Sequence, residues 1–280
     1  MIYRRKPKRV LVGIPHYFDQ LNIHQNDFGS YENSGYKLRL EIVKKAILNL
    51  EVSLNSLDLN FEIKMFGTQN QFLVEPDVYL NVRNPKFLPW AVIDEMFKNR
   101  MNFDYFLFME DDLIINADFM EKLMNLQKHL RNFETVIPNR LEFFNGKPFC
   151  VDIFALPGWK SESKFIDNQT FVEPINTHSG FMFLPRKTFL RAYKNRKHVH
   201  PTILIGDYMA SSLANIFSSM RVYRPIPTNS SLTIVHEDSW SSRMLEKDMF
   251  SLSDLSLFIE SNSFVEIELV NSLNNHNAEF

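Results

Sequence analysis

The sequence predicts an α/β fold: a mostly parallel central sheet flanked by helices, with an irregular C-terminal half. Two observations carry this expectation. Over roughly residues 9–130, short β-branched or aromatic runs alternate with amphipathic helical stretches, and such alternation builds parallel sheets covered on both faces. Beyond that stretch the extended segments are short and their alternation with helices is less regular.

"RVLVGIP" opens the series as a buried strand stopped by Gly13 and Pro15. A polar loop follows. "YKLRLEIVKKAILNLEVSL" places Leu40, Val43, Ile47, Leu50 and Leu54 at helical spacing, which predicts a long amphipathic helix. "NFEIKMFG" reads as the second strand. "LPWAVIDEMFKN" is a helix with Pro89 near its start. "DYFLFMED" is the next strand, and "NADFMEKLMNLQKHL" the next helix, with Asn116 as a candidate N-cap. In the second half, "TVIPNRLEFF", "RVYRPIP" and "SLTIVHEDS" read as extended. "HSGFMFLPRKTF" turns from strand to helix at Pro185. "GDYMASSLANIFSSM" and "MLEKDMFSLSDLSLFIESNSF" read as helices.

Length and composition bound the function. The chain has 280 residues, 45% apolar and 23% charged, an ordinary globular balance that sustains a core without disulfides or structural metals. No Gly/Ser linker divides it, so a single domain over 1–280 is expected: about 9–135, about 136–250, then a C-terminal helix and tail over 251–280. A net charge of −2 gives no reason to expect nucleic acid as a partner. One cysteine, Cys150, excludes an internal disulfide and fits a reducing, cytoplasmic setting. No apolar run reaches the roughly 20 residues that span a bilayer. The basic start, with Arg4, Arg5, Lys6, Lys8 and Arg9, is either a solvated leader or a peripheral contact for anionic lipid.

The chemistry concentrates at "FDYFLFMEDDLIIN". A buried strand runs into Glu110, Asp111 and Asp112. In open α/β sheets, ligands sit outside the carboxyl ends of strands, where these acids lie. Adjacent carboxylates repel unless a cation, water or a proton offsets their charge. Extended geometry would put Glu110 and Asp112 on one side and Asp111 on the other, a seat for Mg²⁺ or Mn²⁺ with a diphosphate. The other reading is a solvated acidic turn in which Asp112 or Asn116 caps the next helix.

An aromatic strand ending in acid-x-acid, after a strand–helix–strand–helix start, resembles the GT-A family of nucleotide-sugar-dependent glycosyltransferases. "DYFLFMEDDLIIN" is similar to that family's DXD-bearing segment, and "LPWAVIDEMFKN" to the helix leading into it. The resemblance implies a GT-A-like, Rossmann-like sheet whose first half binds the nucleotide sugar and whose second half forms an acceptor lobe. It implies a Mn²⁺ or Mg²⁺ cofactor, a nucleotide-diphosphate sugar donor such as a UDP-sugar, and a glycan or lipid-linked acceptor. Glu110 and Asp112 would take the nucleotide and metal roles, with Asp111 between them.

Further segments fit the same template. "IPHYFD" places Pro15, His16 and Tyr17 where the family binds the nucleoside; Tyr17 is a base-stacking candidate or an ordinary surface aromatic. "THSGFMFLP" resembles the segment beside the donor sugar. Gly180 would allow close backbone approach, and His178 is a ligand-facing group or a capped loop histidine. Asp207, in "IGDYMASSLANIF", sits where inverting members carry their catalytic carboxylate, or is an N-cap. His236 in "TIVHEDSW" resembles a late histidine that completes the metal site, with Glu237 and Asp238 as neighbours. One departure stands out: the second strand ends "KMFGTQN", with no acid for base or ribose, leaving Asn70 or Gln71 to hydrogen-bond there. A nucleotidyltransferase of similar fold is the nearest alternative, although "GIPHYFDQ" lacks a glycine-rich basic phosphate loop; a non-catalytic binding protein of the same fold is the other.

Overall fold

A computed structural model describes residues 7–18, 35–57, 59–84, 87–144, 147–150, 152, 159–174, 177–197, 208–226 and 232–237. The fold is mixed α/β. Its largest sheet has five strands: β1 (Arg9–Pro15), β2 (Asn60–Gly67), β3 (Val78–Tyr79), β4 (Tyr105–Met109) and β11 (Phe181–Pro185), in the order β11-β4-β1-β2-β3. β1 pairs in parallel with β2 and β4, and β2 with β3; β11 runs antiparallel to β4. The expected neighbours 9–15, 61–66 and 104–110 therefore lie side by side, and Pro15, Gly67 and Met109 end at one edge.

The continuous apolar strands are buried on both faces. Val10, Val12 and Ile14 join Leu107, Met109, Phe181 and Phe183 on one face, against α1 (Gly35–Asn55) and α3 (Ala117–Gln127). Leu11 joins Phe106, Phe108, Met182 and Leu184 on the other, against α2 (Leu88–Lys98), α4 (Arg186–Asn195) and α5 (Tyr208–Phe217). The abundant phenylalanines account for much of this core. Phe106 stacks on Phe189 at 4.4 Å, and Phe119 meets Phe181 edge-on at 5.4 Å. Each fully buried ring contributes about 1.5–3 kcal/mol relative to an exposed one. Gly13 lets α2 sit close, since a Cβ there would lie 2.8 Å from Met96 Sδ. Asn116 caps α3 as expected, its side chain accepting from Phe119 N at 2.9 Å.

The second half is not simply irregular. It forms two four-stranded sheets of mixed direction. One orders β6 (Glu134–Val136), β12 (Arg221–Pro225), β10 (Gln169–Pro174) and β9 (Trp159–Ile166). The other orders β5 (Leu113–Ile114), β13 (Thr233–His236), β7 (Asn139–Phe144) and β8 (Lys147–Cys150). The single extended segment expected at "TVIPNRLEFF" divides at Ile137–Pro138, and its two parts enter different sheets, because proline has no N–H to continue a ladder. The β9–β10 hairpin was not anticipated. Its turn, Asp167–Asn168, takes positive φ at both residues, which these side chains tolerate. Among the described residues no helix is long and apolar enough to cross a membrane. The helix expected within 244–264, the tail, and Arg4, Arg5 and Lys6 lie outside the described residues.

Candidate metal centre

β4 carries the three acids to the sheet edge. They lie in a tight turn between β4 and β5, with Leu113 N donating to Glu110 O at 3.5 Å, rather than in the extended continuation expected. They are also not solvated: Glu110, Asp111 and Asp112 are only 9%, 6% and 7% exposed. Acids so deeply placed need partners.

Asp111 turns inward. One carboxylate oxygen accepts from His16 Nδ1 at 2.5 Å and the other from Arg39 Nη2 on α1. His16 Nε2 accepts the backbone N–H groups of Leu73 (2.9 Å) and Val74 (3.1 Å). Since Nε2 is the acceptor, the ring proton sits on Nδ1. His16 is completely buried and both its nitrogens are used within the protein, so it ties the end of β1 to Asp111 and to the 71–74 loop. Where a nucleotide contact was expected, His16 and Asp111 are buried and bonded to each other.

Glu110 and Asp112 turn the other way and meet His236. The three offer ligand atoms all within 4.8 Å of one another. His236 Nε2 lies 3.6 Å from Asp112 Oδ1 and 3.9 Å from Glu110 Oε2. The second small sheet arranges this. β13 lies between β5 and β7, with His236 opposite Leu113 and Val235 opposite both Ile114 and Leu141. Glu142, His236 and Asp112 thus form a row across three chain segments. Glu142, fully buried, accepts from His236 Nδ1 at 2.8 Å, and Glu237 N donates to Asp112 O at 3.0 Å.

Asp112 is divided in its contacts. Oδ2 accepts from Arg39 Nη1 at 2.9 Å, whereas Oδ1 is buried without a hydrogen-bond partner and faces His236. Burial alone would raise the Asp112 pKa, but the charges of Arg39 and His236 hold it well below the usual carboxylate range. Burial would likewise lower His236, but the Asp112 charge and the Asp112 and Glu142 contacts outweigh it and push it up to about 10. The unpartnered Asp112 oxygen and the inward imidazole make Glu110, Asp112 and His236 a group that could hold a metal ion.

A buried Arg–Asp–Arg group stands behind Glu110. Arg140 reaches Glu110 Oε2 at 3.1 Å and Asp152 Oδ1 at 2.8 Å; Arg224 reaches Asp152 Oδ2 at 2.7 Å and the His178 carbonyl at 2.6 Å. Burial would raise the Asp152 pKa, but Arg140 and Arg224 hold it low. His178 Nε2 is 3.9 Å from Glu110 Oε1; burial, reinforced by the Arg140 charge, lowers its pKa well below the ordinary imidazole value. Gly180 has φ +59°, and its carbonyl accepts from Glu110 N at 2.9 Å. A Cβ on Gly180 would lie 2.2 Å from Glu110 Oε2. The close approach expected at this glycine is thus made by Glu110 itself.

Pro15 ends β1 opposite Phe66, and Tyr17 packs against the α2-side core. Asp207 and Asp238 lie outside the described residues. Asn70 takes φ 63°, while Gln71 holds Phe18 N through its carbonyl at 3.0 Å and Thr68 Oγ1 through its side chain at 3.3 Å. Arg39, Arg140, Glu142, Asp152 and Arg224 were not singled out from the sequence. Arg140 and Glu142 carried a signal: charges at alternate positions of an extended segment share one face, and here that face is buried.

No protein-family model and no curated protein sequence matches the chain. Among solved structures, it is similar to A197 from STIV, with 13% identity, a TM-score of 0.36, and coverage of 83% of this chain and 87% of that one. It is also similar to a glycosyltransferase involved in the glycosylation of the major capsid of PBCV-1, with 12% identity, a TM-score of 0.33, and coverage of 90% and 99%.

Proposed function

We propose that the chain is a metal-dependent glycosyltransferase that moves a sugar from a nucleotide-diphosphate sugar to the hydroxyl of a glycan or lipid-linked acceptor. The observation that carries this reading is the convergence of Glu110 and Asp112, just past the carboxyl end of β4, with His236 at the end of β13, where a buried Asp112 oxygen is left unpartnered. The sequence resemblance over 88–116 supplies the reaction class. A histidine in the donor set favours Mn²⁺ over Mg²⁺, which prefers oxygen ligands. A bound Mn²⁺ would offset the charge of the departing diphosphate.

The protein's own residues do the remaining work. Arg140 and the Gly180 carbonyl fix Glu110, while Arg39 holds the outer oxygen of Asp112 and leaves Oδ1 for the ion. His178 stands beside Glu110 on the side where β11 enters the sheet, a position for contacting the sugar. Asp207 is assigned the base that takes the acceptor proton, in an inverting mechanism, on the sequence resemblance alone.

The test is hydrolysis and transfer from a panel of UDP-sugars with Mn²⁺ or with chelator, for the native chain and Asp112→Asn. Turnover that requires Mn²⁺ and falls at least about 100-fold in Asp112→Asn is expected. Native turnover that persists in chelator would end the metal assignment.

A further inference from the structure

We propose that Glu142 is the positioning residue that makes His236 a metal ligand: it holds the Nδ1–H and thereby turns Nε2 to face Glu110 and Asp112. This deepens, and rests on, the metal-dependent reading above. The register puts Glu142 and His236 on neighbouring strands of one sheet, one residue beyond the Val235–Leu141 pair. Glu142 is fully buried and accepts from Nδ1 at 2.8 Å. A carboxylate in apolar surroundings is costly, and a nearby hydrogen-bond donor offsets that cost. The same bond fixes which imidazole nitrogen can face a cation, because a ring held by Nδ1–H presents its other nitrogen as the lone pair. Without Glu142 the ring is free to turn about χ2, and Nε2 loses its aim at the Asp112 oxygen that has no hydrogen-bond partner.

Two variants grade the role. Glu142→Gln keeps the shape and an acceptor oxygen; Glu142→Leu removes the acceptor. The full chain is titrated with Mn²⁺ alone, and affinity is read from free-ion EPR. Spin-echo EPR reads the ¹⁴N coupling between bound Mn²⁺ and imidazole. Affinity should fall about 10-fold in Glu142→Gln and about 100-fold in Glu142→Leu, with the ¹⁴N coupling weakened and then lost. A merely structural glutamate would lower the unfolding temperature yet leave the coupling intact in the folded fraction. Native affinity and coupling in both variants would overturn the proposal while leaving the Mn²⁺ site in place. Absence of Mn²⁺ binding by the native chain would instead remove the metal reading, and this proposal with it. Should the variants not fold, ¹⁵N NMR of the native chain loaded with Zn²⁺ decides. A proton retained on Nδ1 with the metal on Nε2 supports the proposal; metal on Nδ1, or no change at either nitrogen, overturns it.

Discussion

Two histidines of this protein are each held at Nδ1 by a buried carboxylate, and they are put to opposite uses. His16 pairs with Asp111 at 2.5 Å, His236 with Glu142 at 2.8 Å. The difference lies at the far nitrogen. His16 Nε2 is consumed by two backbone N–H groups of the 71–74 loop, whereas His236 Nε2 faces two carboxylates beyond hydrogen-bond range. One ring closes a loop onto the sheet edge; the other completes the proposed ligand set. A histidine–carboxylate pair therefore defines neither role by itself. What the second nitrogen meets decides it.

The largest effect should come from exchanging the two rings for alanine in turn. His16→Ala leaves a buried carboxylate and two backbone donors short of partners, each loss costing about 1–3 kcal/mol. We expect unfolding free energy to drop by at least about 3 kcal/mol in chemical denaturation, with Mn²⁺ affinity of the folded fraction within about tenfold of native. His236→Ala should do the reverse: about 100-fold weaker Mn²⁺ binding by calorimetry, with a much smaller loss of stability. Equal stability losses in the two variants would erase the distinction.

Gly180→Ala tests the same centre from the backbone. A residue with Cβ at φ +59° costs about 1–2 kcal/mol, and here the Cβ would also drive the Glu110 carboxylate from its place. The expected result is a lower unfolding temperature together with Mn²⁺ affinity reduced by about tenfold or more, since Glu110 is one of the three candidate ligands. A variant that loses stability but keeps full affinity would show that Glu110 is not needed for the ion.

The first half of this fold was legible because one rule governs it. Strands such as "RVLVGIP" and "DYFLFMED" are apolar on both faces, and the helices between them repeat at 3.6 residues. The acids at 110–112 were legible as a candidate site because charge at the end of a buried strand is costly without a purpose. Their division was foreseen for the wrong local reason: Asp111 does part from Glu110 and Asp112, but in a turn, and because His16 and Arg39 draw it inward. The small sheets were not legible. They join strands from distant parts of the chain, β5 with β13 and β6 with β12, and nothing in a short segment names its partner. For the same reason Arg39 and Glu142 were missed: their roles are set 73 and 94 residues away along the chain.

The pH response should separate the free and loaded forms. In the metal-free protein the raised His236 pKa stabilises the fold fully below about pH 6.5, and that contribution is lost as pH rises through about 10. The depressed Asp112 pKa acts oppositely: its contribution is present above about pH 4 and lost as pH falls below it. Glu110, Glu142 and Arg140 also face His236 and set the size of the effect. Metal must displace the His236 proton, so apparent Mn²⁺ affinity should rise by up to about tenfold per pH unit between pH 6 and 8. Thermal unfolding at three pH values, with and without Mn²⁺, reads both trends. The metal-free midpoint should fall with pH while the Mn²⁺-induced rise grows; a pH-independent Mn²⁺ shift would mean that His236 releases no proton to the ion.

The smallest effect on the metal should come from Asp111→Asn, although Asp111 sits between two candidate ligands. Both of its oxygens are engaged inside the protein, one by His16 and one by Arg39. The amide retains one acceptor, so it can satisfy His16 while its NH₂ turns towards Arg39, which keeps its second arm on Asp112. What the ion loses is the long-range attraction of one carboxylate. Arg39, in direct contact with Asp111, offsets much of that attraction, and about a tenfold weaker Mn²⁺ affinity is expected. Asp112→Asn removes a ligand and should cost at least about 100-fold, so the two neighbouring acids should differ clearly in one calorimetric titration. If Asp111→Asn matches Asp112→Asn, Asp111 must leave His16 and Arg39 to bind the ion, and His16 would then belong to the working site rather than to the scaffold that holds it.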